Sequence, residues 1–110
     1  MYRATTPKHS FIFDVDPVET FKTILITYTQ DDQIVLEKGK DDLTVEETTG
    51  CNGSIAYEAS LRLTQEESNL FNARTPVSVQ IRVLTYDGDA IAFDKWTVAV
   101  KDVLNDEVLT

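Results

Sequence analysis

The sequence predicts an all-β fold, an immunoglobulin-like antiparallel β-sandwich of about seven strands with one short helix. Apolar and polar residues alternate with a period of two along most of the chain, which is the pattern of half-buried strands. Turn-forming residues recur at about the eight-to-twelve-residue spacing of sandwich folds. The 110 residues suit one domain over the whole chain, with residues 104–110 either frayed or making contacts.

The first part of the chain predicts one strand and then a hairpin. A strand over residues 10–15 ends at Asp16-Pro17, because proline has no amide to donate to a ladder. Residues 21–30 and 33–38 form two further strands, joined by a short acidic turn at Asp31-Asp32. The predicted inward residues are Phe11, Phe13, Val15, Ile24, Ile26 and Tyr28.

The middle of the chain predicts a second hairpin. Leu43 and Val45 mark a short strand, and residues 48–53 form a turn-rich tip. Asn52-Gly53 favours a positive φ at both positions, which folds the next strand back on its predecessor. Residues 54–63 then form a central strand. Its predicted inward residues are Ile55, Tyr57, Ala59, Leu61 and Leu63.

One short helix is predicted after this central strand. Thr64 and Glu67 have the spacing of a capping box, in which each side chain binds the backbone amide of the other residue. The apolar staple that often accompanies such a box is absent, because Ser68 occupies its position. We therefore expect Leu70 and Phe71 to hold this turn by plugging the end of the sandwich.

The last part of the chain predicts a regular strand followed by an irregular one. Residues 77–83 alternate strictly, and residues 86–89 reverse the chain. Residues 90–103 form a final strand or bent strand pair, in which the alternation slips near Asp94-Lys95. Such a slip indicates a bulge or a change of sheet. The predicted inward residues of the regular strand are Val77, Val79, Ile81 and Val83. The final strand includes Ile91, Phe93, Trp96, Val98 and Val100.

The composition excludes several classes of partner. The net charge of −9 repels nucleic acid phosphates and anionic lipid headgroups, so neither nucleic acid nor membrane is an expected partner. The apolar stretches are far shorter than the roughly 20 residues that cross a bilayer, and the first residues have no apolar signal core. Cys51 has no second cysteine to pair with, so we expect a plain thiol and synthesis in the cytoplasm.

No group of residues predicts catalysis or a bound cofactor. His9 stands next to Lys8 at the start of a strand, without a nucleophile nearby in sequence, and we expect an ordinary surface residue. We therefore predict no enzyme activity and no cofactor.

Acidic pairs near the turns are the candidates for a metal site. Calcium binds several converging oxygens, and loops at one end of a sandwich can supply them. Aspartate is also favoured in turns for its local backbone hydrogen bonds, and this simpler explanation predicts no metal site. The weak metal candidates are Asp14, Asp16, Asp87 and Asp89.

Aromatic residues raise the alternative of a sugar-stacking platform. They are scattered over both predicted faces, which favours positions in the core and its rim. The candidates are Tyr2, Tyr28, Tyr57, Tyr86, Phe93 and Trp96.

An outward stripe predicts a surface for protein partners. Apolar and β-branched residues on the outside of one sheet supply what a docking face needs, and free strand edges can add neighbouring strands. Such a surface could also bind a second copy of the chain, so a homo-oligomer is one of the predicted outcomes. The predicted interaction face consists of Thr23, Leu25, Thr27, Thr29 and Leu84.

Five segments together resemble a group of small prophage-encoded proteins. They are F-x-F at 11–13, I-T-Y-T-Q at 26–30, L-T-Q-E-E at 63–67, V-S-V-Q-I-R-V-L at 77–84 and V-K-D-V-L at 100–104. The layout is also loosely similar to the N-terminal immunoglobulin-like domain of phage upper-baseplate proteins. The chain departs from antibody domains, because it has no cysteine pair and its tryptophan lies in the last strand.

This resemblance implies a non-enzymatic structural or assembly protein of a bacteriophage or prophage. Its place would be a tail, baseplate or head, and its partners would be other virion proteins or itself. It would be found in the host cytoplasm during synthesis and then in the virion. The alternative from another class is a calcium-dependent or carbohydrate-binding adhesion module, and an enzyme ranks third.

Overall fold

Two antiparallel sheets pack face to face, and this confirms the predicted β-sandwich. A computed structural model describes residues 1–50, 52–105 and 107–110. The described residues form eight strands, two four-residue helices and a 3₁₀ turn at Lys40–Asp42. The strand count is one above the prediction, because the last predicted strand is divided in two.

The smaller sheet has three strands. They are β1 (Lys8–Phe13), β4 (Thr44–Thr49) and β5 (Ile55–Arg62). Their order across the sheet is β1-β5-β4, so the strand predicted to be central does lie between two others. β1 and β4 form the two edges.

The larger sheet has five strands. They are β2 (Phe21–Gln30), β3 (Gln33–Gly39), β6 (Val77–Thr85), β7 (Ala90–Ala92) and β8 (Trp96–Val98). The order is β3-β2-β6, with β7 and β8 both pairing with the far side of β6. All of these pairs are antiparallel.

The strand order is that of an immunoglobulin-like domain. In such domains strands B, E and D share one sheet, while C′, C, F and G share the other. If β1 corresponds to strand B, the following strands in chain order correspond to C, C′, D, E, F and G. The observed orders β1-β5-β4 and β3-β2-β6-β7 are then B-E-D and C′-C-F-G. The short segment at Tyr2 forms a parallel bridge with Lys101.

The core fills the space between the two sheets. Alternation along β2 and β6 works as predicted over most of their length, because every second side chain is buried from Ile24 to Gln30 and from Val77 to Val83. Tyr28 and Ile26 have no exposed surface at all. The buried apolar residues of the core cluster are Phe13, Phe21, Ile24, Ile26, Tyr28, Ala59, Leu61, Leu63, Phe71, Val77, Val79, Ile81, Val83 and Val100.

The two predicted hairpins are present, but they differ in their turns. Asp31 and Asp32 have φ angles of 51° and 63°, so the two aspartates adopt the doubly left-handed turn that joins β2 to β3. In the β4–β5 hairpin Gly53 has the predicted positive φ, at 80°. The Asn52 side chain accepts a hydrogen bond from the Ser54 amide at 3.1 Å.

A short helix was missed after β1. Pro17–Thr20 form α1, and the Asp16 carboxylate accepts from the Val18 amide at 3.1 Å. Asp16-Pro17 therefore begins α1 and does not end β1 as predicted, since proline suits the first position of a helix. β1 already ends at Phe13, so Val15 lies outside the strand in which it was predicted.

The irregularity near Asp94-Lys95 is confirmed as a bulge. Leu84 pairs with Ala90 at one end of the ladder, whereas Val79 pairs with Trp96 at the other end. This is a shift of one residue, and it divides the predicted strand into β7 and β8 within the same sheet. The alternative prediction of a change of sheet is wrong.

Candidate functional site: the open end of the sandwich

The two ends of the sandwich differ. At one end, a short helix and a buried aromatic ring cover the core. The helix α2 (Gln65–Ser68) lies there, and its capping box is confirmed by hydrogen bonds of 3.1 and 2.9 Å between Thr64 and Glu67. The Phe71 ring is 1% exposed and packs against the Tyr28 ring, with centroids 5.8 Å apart. We call this region the closed end.

Buried polar groups hold the closed end together. The Gln30 side chain donates to the carbonyl oxygens of Asn72 and Thr75 and accepts from the Asn72 amide, at 2.8–2.9 Å. The Ser68 hydroxyl donates to the Thr5 carbonyl at 2.8 Å and accepts from the Thr5 amide at 3.1 Å. Ser68 therefore replaces the missing apolar staple with hydrogen bonds to the first residues of the chain.

Two predictions about this end are wrong. Leu70 is 55% exposed, so Phe71 alone of the two predicted plug residues enters the core. His9 is half-buried, and its Nδ1 atom lies 2.7 Å from the Tyr28 hydroxyl. Burial, together with the positively charged amino terminus, lowers the pKa of His9. His9 is thus a half-buried residue in contact with Tyr28 and not an ordinary surface residue.

A coupled set of charges surrounds the same tyrosine. Burial and the carboxylate of Glu67 raise the pKa of Tyr28. Burial works to raise the pKa of Glu67 itself, but hydrogen bonds from Lys38 and Thr64 hold it below its ordinary value. Lys38 and Glu67 form an ion pair. These groups are satisfied by one another, which indicates a structural role.

The opposite end carries the short helix α1 with its buried Pro17, yet several of its described apolar side chains remain exposed, and we call it the open end. Apolar side chains are exposed around a cavity of about 580 Å³. Ile12 is 64% exposed and Ile55 is 61% exposed. The apolar residues that line this cavity are Ile12, Phe13, Val15, Phe21, Ile55, Ala56 and Phe93.

The open end contains two residues that were wrongly predicted to be buried. Val15 and Ile55 were predicted to be inward, and both are exposed while lining this cavity, as Phe93 is. Ile55 lies on the same face of β5 as Ala59, which is fully buried. Ile55 is the first residue of β5, however, and it remains largely exposed at this end of the sandwich.

A second apolar cavity continues the open end along one side of the sandwich. Its volume is about 260 Å³, and it shares Ile12, Phe13 and Phe93 with the first cavity. Two edge-to-face aromatic pairs form its floor, Phe11 with Trp96 at 5.0 Å and Phe13 with Phe93 at 5.9 Å between centroids. The exposed apolar surface is therefore continuous from the end of the sandwich to the side where β1 and β8 lie.

The chemistry of the open end suits an apolar partner surface. Asp14 is the single titratable residue among the described residues that line the larger cavity. The smaller cavity is lined only by aliphatic and aromatic side chains. Asn52 and Ser54 add two uncharged polar side chains to the lining of the larger cavity, and most of its other lining side chains are apolar. Exposed apolar patches mark binding surfaces. The sequence analysis missed this site. The residue that could have indicated it is Ile12, an apolar residue at an outward position of β1.

The predicted interaction face lies elsewhere, on the outside of the five-stranded sheet. Thr23 pairs with Leu84, and Leu25 pairs with Arg82, so the predicted residues do form one surface. Two shallow depressions of about 210 and 110 Å³ lie on it. Thr23 and Leu25 line the larger one, while Thr27 and Thr29 line the smaller.

The acidic candidates are not brought together. Asp16 caps α1, and the Asp89 amide donates to the Thr85 hydroxyl at 3.0 Å in the turn between β6 and β7. Within the described residues, no three histidine, cysteine, aspartate or glutamate side chains converge as metal ligands would. Cys51, expected to be a plain thiol, lies outside the described residues.

The aromatic candidates are also dispersed. The structure brings Phe93 and Trp96 to one cavity, and it buries Tyr28 completely. Tyr86 is 65% exposed in the turn after β6, and Tyr2 lies under the Lys101 ammonium, 5.4 Å from its ring centroid.

Comparisons with known proteins return no relatives: no protein-family model matches the chain, and no curated protein does. Among the described residues, no helix has the length and apolar character needed to span a membrane.

Proposed function

We propose that this protein is a non-enzymatic structural or assembly component that acts by docking on another protein through the open end. The observation that carries the proposal is the cluster of exposed apolar side chains around a single cavity. Ile12 and Ile55 each expose more than half of their surface there, and Val15 and Phe93 each expose more than a third. A folded monomer gains nothing from such exposure, whereas a partner that covers it releases water from apolar surface.

The assembly that we propose is a bacteriophage or prophage particle, in its tail, baseplate or head. This part rests on the resemblance of the five sequence segments to small prophage-encoded proteins. The strong negative charge supports an assembly role, since it keeps the free chain from associating nonspecifically until a complementary surface binds. The outer face with Thr23, Leu25, Thr27, Thr29 and Leu84 is the second surface available for contacts in such an assembly.

The test measures solution mass with and without the products of the neighbouring genes. We expect a stable complex with one of them, and we expect Ile55→Ser to abolish it. Ile34→Ser is the matched control, because Ile34 is 62% exposed on β3 and lies outside both cavities. No complex with any neighbouring product, or a complex that survives Ile55→Ser unchanged, would overturn the proposal.

A further inference from the structure

The free edge of β1 differs from the other sheet edges of the described chain. β4 has Glu46 and Glu47 in mid-strand, and β3 has Glu37 and Lys38 together with a register shift against β2. β7 and β8 have three residues each and are separated by the bulge. Charges, bulges and short length are the devices that keep a sheet edge from pairing with another chain.

The second half of β1 has none of these devices. Its six residues end in Phe11-Ile12-Phe13, and its one charged residue, Lys8, stands at the start. The Leu63 amide donates to the Pro7 carbonyl, so residues of odd number in β1 point their backbone groups toward β5. Bonded and non-bonded pairs alternate in an antiparallel ladder, so Lys8, Ser10 and Ile12 direct their amides and carbonyls to the free edge.

The charges on the outer face of this sheet make β1 complementary to a second copy of itself. Glu46, Glu58 and Ile12 form one row across the three strands. Lys8 and Arg62 are neighbours in another row, four residues back along β1. One end of β1 is therefore flanked by acidic residues and the other by basic residues.

We propose that two copies of this chain associate by antiparallel pairing of their β1 strands, with Ser10 opposite Ser10 about a two-fold axis. This register places Lys8 of each copy beside Ile12 of the other. Strands lie about 4.8 Å apart, so Lys8 of one copy comes within about 10 Å of Glu58 of the other between Cα atoms. Side chains of this length span that distance, and the symmetry produces the contact twice.

Strand pairing also covers apolar surface. Ile12, which is 64% exposed in the single chain, lies next to the aliphatic stem of the neighbouring lysine. The two three-stranded sheets become one six-stranded sheet, and two free edges disappear. The net charge of −9 on each copy opposes the association, so it requires an ionic strength that screens this repulsion.

The first test is the mass of the chain in solution over a wide range of concentration at about 0.15 M salt, where the Debye length is about 8 Å. We expect the mass to rise from 12.4 kDa toward twice that value. Ser10→Pro removes an amide that faces the free edge without removing a bond to β5, and we expect it to remain monomeric. Thr49→Pro is the matched control at the free edge of β4, and we expect it to dimerise like the native chain.

The register has its own test, which does not depend on tolerance of proline. Directly bonded antiparallel residues have Cα atoms about 5.5 Å apart, within the range that a disulfide spans. In a Cys51→Ser background, Ser10→Cys should form a covalent dimer on mild oxidation, whereas Thr49→Cys should not. A native chain that stays monomeric throughout, a Ser10→Pro variant that dimerises normally, or a Ser10→Cys chain that does not cross-link would each overturn the inference.

Charge reversal tests the proposed complementarity. Lys8→Glu should lower the association constant by about tenfold, as expected for two exposed ion pairs replaced by repulsion. The double variant Lys8→Glu with Glu58→Lys should restore it, and equal weakness of both variants would contradict the register. The inference goes beyond the proposed function, and Ile55→Ser separates the two because it removes docking at the open end and leaves β1 pairing intact.

Discussion

The closed end and the open end of this sandwich are built from similar residue types but reach opposite results. At the closed end one aromatic ring, Phe71, is 1% exposed beneath a capped helical turn. At the open end another, Phe93, is 37% exposed in the break between β7 and β8. The difference is one of burial: the closed end covers its aromatic ring, whereas the open end leaves its ring partly exposed to solvent.

The largest expected effect on stability comes from a substitution at the closed end. Phe71→Ala removes a ring that packs against Tyr28, and such a cavity typically costs about 3 to 5 kcal/mol in the free energy of unfolding. Phe93→Ala should cost much less, because solvent already reaches its ring. Chemical denaturation of the two variants measures the difference. Equal losses would show that the two ends are equivalent.

The next effect concerns the polar part of the plug. Gln30→Met keeps the size of the side chain but leaves the Asn72 amide and the carbonyls of Asn72 and Thr75 without their partner. Unsatisfied buried groups cost about 1 to 3 kcal/mol, so we expect a loss of that size in denaturant unfolding. The control is Gln33→Met, at an exposed position of β3, where we expect little change.

The sequence predicted contacts between residues that are close in the chain, and it missed contacts between distant ones. The Thr64–Glu67 capping box and the β2–β3 hairpin depend on residues near one another, and both were predicted correctly. The hydrogen bond between His9 and Tyr28 joins two different sheets, so no local pattern announces it. Alternation gives the direction of a side chain but not what covers it, which is why Ile55 was predicted to be buried.

A third, smaller effect should appear as a dependence of stability on pH. The pKa of His9 is lower in the folded chain than the ordinary value of 6.5. The unfolded chain therefore binds a proton first as the pH falls, and stability decreases below about pH 6.5 until the folded pKa is passed. Glu67, whose pKa is lowered, loses its contribution only in a more acidic range, below its ordinary value of 4.5.

Melting temperatures at pH 7.5 and 5.5 check this expectation. Burial and the positive amino terminus lower the pKa of His9, and the Tyr28 hydroxyl is its hydrogen-bond partner. The native chain should melt at a lower temperature at pH 5.5, and His9→Asn should lose much of that difference. An unchanged difference in the variant would assign the effect to other groups.

The smallest expected effect belongs to the open end. Ile55→Ser removes an aliphatic side chain that is 61% exposed, so the free energy of unfolding should change by no more than about 0.5 kcal/mol. Ile34→Ser should behave in the same way, and thermal unfolding of the two variants checks both. A large loss in Ile55→Ser alone would mean that the open end supports the fold as the closed end does. A negligible loss would mean that these apolar side chains contribute little to folding, which leaves binding as the reason for their exposure.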